Sequence, residues 1–370
     1  MTRRLTDKLL RREKLGNLRR LQVTQNLIDF SSNDYLGLAR SQCLTEAVMQ
    51  ELYNDPTILN GSTGSRLLTG NTAYAQDLEN KIAQFHGYEA GLLFSCGYMA
   101  NVGLLSAIAT SKDAIIFDAK VHASTHDGIR LSCAKAFAFR HNDLEHLETR
   151  LKNSSILEDR FICIESIYST DGSLAPLPEI CLLAKQYNAY LIVDEAHAVG
   201  ACGPCGKGLV AEHNLSSQIF AQVTTFGKAV GAYGAIVMGN NILKQALVNF
   251  SNSYIYTTAL PLHSLVLIKC SYDLFPQLES ERKYLNKLIE IFRKNHINSS
   301  LTPIQTVQFK GNEAVKCMAT KLIEQGFDVK PLMSPTVQRG YEVLRICLHV
   351  FNTEEQVTQL LEFIRRAYDA

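Results

Sequence analysis

The sequence carries almost no excess of either charge: 37 Lys+Arg stand against 36 Asp+Glu, a net +1. That balance excludes the basic footprint of a nucleic-acid binder and a polybasic membrane anchor. Charged residues interrupt every apolar run well short of the ~20 residues a membrane span needs. The opening stretch, residues 1–22, is basic and amphipathic but has no apolar core and no small-residue cleavage site. It is not a secretory signal; its charge leaves a weak organelle-targeting reading, against which Asp7 and Glu13 argue. Internal repeats, low-complexity segments and long Gly/Ser linkers are also missing. The ten cysteines are too scattered for a disulfide framework, and Cys163, Cys181 and Cys347 read as small buried hydrophobes. These absences predict a soluble, cytoplasmic protein with no membrane and no nucleic acid among its partners.

What is present is the composition of an ordinary folded chain, 46% apolar and 20% charged. At 370 residues it exceeds what one core usually serves, so a large domain with a smaller lobe is expected. Short apolar runs alternate with helical patterns: 89–94, 114–117, 136–139, 160–164, 189–193, 223–226 and 234–238 read as strands. Strands apolar on both faces and separated by helices predict an α/β fold, a mostly parallel central sheet with helices on both faces. After Pro261 the pattern changes to one long helical tract over 263–292. A β-α-β-β-α series follows, read as a smaller α/β C-terminal domain.

Four constellations carry possible chemistry. In Val223–Gly234, Lys228 follows a glycine among small and apolar residues, where its charge is costly. An imine with an aldehyde would remove that charge; a lysine snorkelling to the surface is the plainer reading. The segment is not a P-loop, because Gln222 and Ala229 stand where glycine and Ser/Thr are required. In LIVDEAHAVG, Asp194 ends an apolar strand and must meet a cation. A protonated pyridine nitrogen, a metal shared with His197, or a helix cap all answer that need. In FSCGYMAN, the N–H groups near Gly97 and Tyr98 open a helix and suit an anion, although most such junctions are only turns. Cys202-Gly-Pro-Cys205 spells a redox pair, yet it lies in a Gly-rich run beyond a strand, and no second CxxC completes a zinc site. An aldehyde-accepting lysine, a strand-end aspartate and a phosphate cradle in one α/β domain together describe pyridoxal 5′-phosphate.

The blocks SSNDYLGL, GSTGSRLLTGN, FSCGYMAN, DAKVHAS, ESIYSTDG, DEAHAVG, TTFGKAVG and YTTALP resemble, in order, those of the α-oxoamine synthases, pyridoxal-phosphate enzymes of fold type I. The likeness runs from about Leu18 to the C-terminal helix. It implies an N-terminal segment over 1–40, a large cofactor domain over 41–260 and a small domain over 261–370. By the resemblance, Lys228 forms the imine, Asp194 pairs with the pyridine nitrogen, His122 stacks on the ring and His197 bonds its phenolic oxygen. Gly97, Tyr98, Ser169 and Thr225 match cofactor contacts, while Thr257 or Thr258 reaches the phosphate of the partner subunit. Asn33, Thr336 and Arg345 match substrate positions, with Arg345 on the amino acid's carboxylate. Arg19, or Arg20 beside it, meets the acyl substrate. No metal is implied. TFGKA and the RLLTGN ending are most similar to the member that joins L-alanine to a pimeloyl thioester of coenzyme A or a carrier protein. Glycine- and serine-using members share the catalytic residues. The family works as a homodimer with shared sites.

Overall fold

A strand that is apolar on both faces must be covered on both sides, as every strand of the larger sheet is except the largely exposed edge strand Lys135–Phe139. The computed structural model describes residues 2–21, 23, 26–54, 60–296 and 299–369. After helix α1 (Arg3–Lys14) and the two-residue strand β1 (Ile28–Asp29), the chain enters helices α2 (Gln42–Tyr53) and α3 (Ala73–His86). Strand β2 (Ala90–Phe94), helix α4 (Gly97–Ile108), β3 (Ala114–Asp118), helix α5 (Ala123–Ser132) and β4 (Lys135–Phe139) follow. Next come helix α6 (Leu144–Asn153), β5 (Arg160–Glu165), helix α7 (Leu177–Gln186), β6 (Tyr190–Asp194), β7 (Ala221–Thr225) and β8 (Ala235–Gly239).

These seven strands, β2 to β8, form one sheet in the order β2-β8-β7-β6-β5-β3-β4. Strand β8 runs antiparallel to both neighbours, and every other pairing is parallel. One face buries Leu92, Phe94, Ile115, Phe117, Phe161, Cys163, Ile192 and Val223 in a core shared with Leu104 and Leu105 of α4. The alternate residues, among them Ile116, Ile162, Val193 and Ile236, are fully buried on the other face. Each such side chain contributes about 1.5–3 kcal/mol on burial, which fixes the register against a one-residue slip. The expected mostly parallel, doubly covered sheet is therefore present.

The helix starts are explained by their caps. Ser41, Thr72 and Asp143 each accept a backbone N–H from the first turn of α2, α3 and α6. Helix α4 differs, since its N-cap, Cys96, makes no side-chain cap bond. The carboxyl ends of β3, β5, β6 and β7 are Asp118, Glu165, Asp194 and Thr225. Polar residues thus gather at one edge of an apolar sheet, where open α/β sheets bind ligands.

The chain packs as two compact units: 36–169 with 174–282, and 1–35 with 170–173 and 283–370. The second unit holds β9 (Ile304–Gln308), β10 (Phe327–Asp328), β11 (Lys330–Leu332) and β12 (Val343–Cys347). Strands β11, β12 and β9 form an antiparallel sheet in that order, and β1 pairs with β10 in parallel. Helices Asn312–Glu324 and Glu354–Asp369 flank β10, β11 and β12, so the order from β9 is β-α-β-β-β-α, one strand more than the expected β-α-β-β-α series.

The single long helix expected over 263–292 is two helices, Leu262–Leu274 and Glu279–Asn295, parted at Phe275–Gln277. Pro276 lacks the N–H an uninterrupted helix needs. The buried Arg282 guanidinium donates to the carbonyls of Phe275 (2.8 Å) and Pro276 (3.0 Å) and so repairs the break.

Candidate active site

Asp194 ends β6 with both carboxylate oxygens bonded and only 7% of its surface exposed. Oδ1 accepts the backbone N–H of Ala196 at 2.9 Å, and Oδ2 accepts Asn101 Nδ2 at 2.8 Å. Asn101 lies on the buried face of α4, and the same Nδ2 donates to Ser124 Oγ at 3.0 Å. Ser124 Oγ is in turn 2.8 Å from His122 Nδ1, which also accepts the Ser124 N–H. One chain of bonds therefore runs from Asp194 through Asn101 and Ser124 to His122. Accepting at Nδ1 leaves the neutral imidazole its proton on Nε2. Burial, opposed by the Asp194 charge, lowers the His122 pKa from the ordinary histidine value, so the ring is neutral at pH 7.

Lys228 sits in the loop joining β7 to β8, in a turn closed by Gly231 N–H donating to Lys228 O at 2.8 Å. Its Nζ is 2.7 Å from His197 Nε2. Small residues make that approach possible. Gly200 has φ +88°, and a Cβ there would fall 2.7 Å from Ala229 Cβ.

Gly97 starts α4 against Thr225, and a Cβ on it would stand 2.3 Å from Thr225 Cγ2. The buried Thr225 Oγ1 has no hydrogen-bond partner among the described residues. Uncapped helix N–H groups and an orphaned hydroxyl at the first turn suit an anion. Tyr98, exposed on the same turn, packs edge-on to His122 and hydrogen-bonds Asp127. Ser169 N–H donates to Glu165 Oε2 at 3.0 Å. Burial, with Asp194 adding to it, pushes the Glu165 carboxyl up to about 8. Thr257 and Thr258 line a small cleft that also takes in Ser95 and Arg66.

Pyridoxal 5′-phosphate fits this set of residues. The orphaned Thr225 hydroxyl and the cradle at Gly97 answer its phosphate, a hydrogen-bonded buried carboxylate its ring nitrogen, and the Lys228 amine its aldehyde. Among the described residues, no group of three His, Cys, Asp or Glu side chains could hold a metal ion.

The remaining candidate residues lie in the second unit. Arg345, on β12, donates from Nη2 to Asn33 Oδ1 and from Nη1 to Cys347 Sγ, each at 3.0 Å. Tyr35 OH also donates to Asn33 Oδ1, at 3.2 Å. Arg19 Nη2 is 3.4 Å from Thr336 Oγ1, whereas Arg20 forms an exposed ion pair with Glu13 at 3.4 Å. The structure thus groups Arg345 with Asn33, and Arg19 with Thr336.

The CGPC run is a tight turn, with Gly206 N–H donating to Gly203 O at 3.0 Å, and the segment just beyond it meets a buried acid. Leu209 and Val210 N–H donate to Glu195 Oε1 at 2.8 and 3.2 Å. No disulfide joins Cys202 and Cys205, and burial pushes the Cys202 thiol up to about 12. A reactive redox cysteine needs the opposite shift. Asn101, Ser124 and Glu165 were not singled out by motif reasoning. For Glu165 a signal existed: two apolar runs, RFICIE and LIVD, each end in a carboxylate.

The chain belongs to the aminotransferase class I and II family, whose model matches residues 25–364. Within that class it is similar to proteins named 8-amino-7-oxononanoate synthase. That of Emericella nidulans is 40% identical, with 97% of this chain and 94% of the relative covered. A putative one from Neisseria meningitidis serogroup A is also 40% identical, over 90% of this chain and 89% of the relative. Among solved structures, the Francisella tularensis 8-amino-7-oxononanoate synthase has a TM-score of 0.80 at 29% identity, covering 93% of this chain and 98% of its own. Sphingomonas wittichii serine palmitoyltransferase has a TM-score of 0.84 at 29% identity, covering 92% and 87%. A high-resolution serine palmitoyltransferase structure, with PLP as an internal aldimine, has a TM-score of 0.87 at 26% identity, covering 99% and 96%.

Proposed function

We propose that the protein is a pyridoxal-phosphate-dependent C-acyltransferase of biotin biosynthesis. It condenses L-alanine with a pimeloyl thioester to give 8-amino-7-oxononanoate, carbon dioxide and the free thiol carrier. The observation that carries this reading is the Lys228 amine, 2.7 Å from His197, in the unit that also presents the hydrogen-bonded Asp194. The 40% identity to relatives of that name supports the choice of substrates.

When bound, the cofactor supplies an electron sink for the charge left at the amino acid's Cα. Lys228 Nζ holds the cofactor and then, as a free amine, moves the Cα proton. His197 orients Nζ and would bond the cofactor's phenolic oxygen, and Ser169 would contact the cofactor. Asp194 holds a proton on the ring nitrogen, and Asn101 fixes the carboxylate that does so. The neutral His122 covers the ring. Gly97, Tyr98 and Thr225 bind the phosphate, with Thr257 or Thr258 contributing to the site of a second subunit in a homodimer. The Arg345 guanidinium, aimed by Asn33, takes the amino acid's carboxylate as a planar fork. Arg19 and Thr336 bind the acyl substrate; their hydrogen bond supports Arg19 over Arg20. A cytoplasmic setting is consistent with ten cysteines that form no disulfide.

The test is product mass from PLP-loaded protein given alanine, glycine or serine, with pimeloyl-CoA or a pimeloyl carrier protein. The expected result is an aminoketone from alanine only. Turnover with serine or glycine and none with alanine would overturn the assignment in favour of another condensing member of the class.

A further inference from the structure

Glu165 and Asp194 end neighbouring parallel strands as directly paired residues, so their side chains emerge side by side on one face of the sheet. Two carboxylates this close cannot both ionise cheaply, and the donors around them decide which one does. Asp194 has a donor on each oxygen, the Asn101 amide and the Ala196 N–H. Glu165 has the Ser169 N–H on Oε2, while Oε1 is buried without a hydrogen-bond partner among the described residues. Only 4% of Glu165 is exposed, so water does not make up the difference. An unpartnered buried carboxylate oxygen costs far more than an unpartnered buried hydroxyl.

The other groups facing Glu165 do not reverse this. Lys228, after β7, pulls toward the charged form, but its Nζ is engaged with His197. The His122 backbone N–H, before α5, adds a weaker pull the same way. Tyr168, on the segment following β5, is itself buried and neutral, held far above the ordinary tyrosine value by burial and by Asp118. Glu195, next to Asp194, is also pushed up, to about 7, by its own burial.

We propose that Glu165 is a positioning residue, held as a neutral acid whose Oε2 fixes the Ser169 N–H while its proton sits on Oε1. The Ser169 loop then keeps its place without a charge on Glu165. The protonation of Glu165 is independent of what the site binds. Its service to a cofactor rests on the reading of Asp194 and Ser169 given above.

The experiment uses the full chain without added cofactor. Glu165→Gln keeps the acceptor for Ser169 and places an amide N–H where the acid carries its proton, whereas Glu165→Ala removes both. The infrared difference between wild type and E165Q should contain the C=O stretch of a protonated carboxyl at neutral pH, lost by about pH 9. The folded state binds the Glu165 proton more tightly than the unfolded chain does. Its stabilisation is therefore complete at acid pH and is lost as pH rises through the folded value. Wild-type Tm should accordingly fall by several degrees relative to E165Q as pH rises from about 6 to about 9. E165A should be less stable than E165Q at every pH. Parallel Tm curves for wild type and E165Q, or no protonated-carboxyl band, would overturn the proposal. Both readouts precede cofactor loading, so they can fail while the cofactor chemistry holds, and the reverse.

Discussion

Lys228 Nζ lies 2.7 Å from His197 Nε2, a contact that two small residues elsewhere make possible. Gly200 follows His197 by three residues and Ala229 follows Lys228 by one; an added Cβ on Gly200 would be 2.7 Å from that of Ala229. Gly200→Val should therefore force the two loops apart and impose a β-branched residue at φ +88°. A loss of about 1–3 kcal/mol is expected, read by chemical denaturation, with PLP retention falling more than the stability loss explains.

Asn101→Ala removes a hydrogen bond to a buried carboxylate and cuts the link from Asp194 to Ser124 and His122. A bond to a charged group contributes about 1.5–3 kcal/mol, so PLP affinity should fall roughly ten- to hundredfold. Fluorescence titration of the unloaded protein with PLP measures it.

The two N-terminal arginines should separate cleanly. Arg19→Ala removes the group beside Thr336 and should raise KM for the thioester with KM for alanine unchanged. Arg20→Ala removes an exposed ion pair with Glu13, worth no more than about 1 kcal/mol, and should leave both KM values in place. Steady-state kinetics against each substrate distinguishes the outcomes.

Acid should destabilise the protein through histidines that fold neutral. His86 is fully enclosed beside Tyr272, and burial lowers its pKa to about 3. The unfolded chain binds that proton near its ordinary value, so this contribution is intact above about pH 6.5 and declines as pH falls toward the folded value. Melting curves across that window should show the decline, and His86→Phe should flatten it.

Much of this was legible in the sequence because the chemistry sits in contiguous blocks. Lys228 among small residues, Asp194 at the end of LIVD and the turn at Gly97 are local features, and most strands of the larger sheet are built around short apolar runs such as AGLLF, AIIF and LIV. The link from Asn101 to Ser124 was not legible. Both are ordinary polar residues 23 positions apart, joined only because α4 and α5 pack together. The pairing of Arg19 with Thr336 joins residues 317 positions apart and depends on the fold of the second unit. The break at Pro276 was legible, and the strong apolar periodicity on either side outweighed it in reading a single helix.

The central claim is that Lys228 is the cofactor's covalent anchor. Protein loaded with PLP, reduced with borohydride and digested should carry the pyridoxyl mass on the peptide containing Lys228, and Lys228→Ala should carry none. The label on another lysine, or undiminished labelling of the variant, would contradict the account.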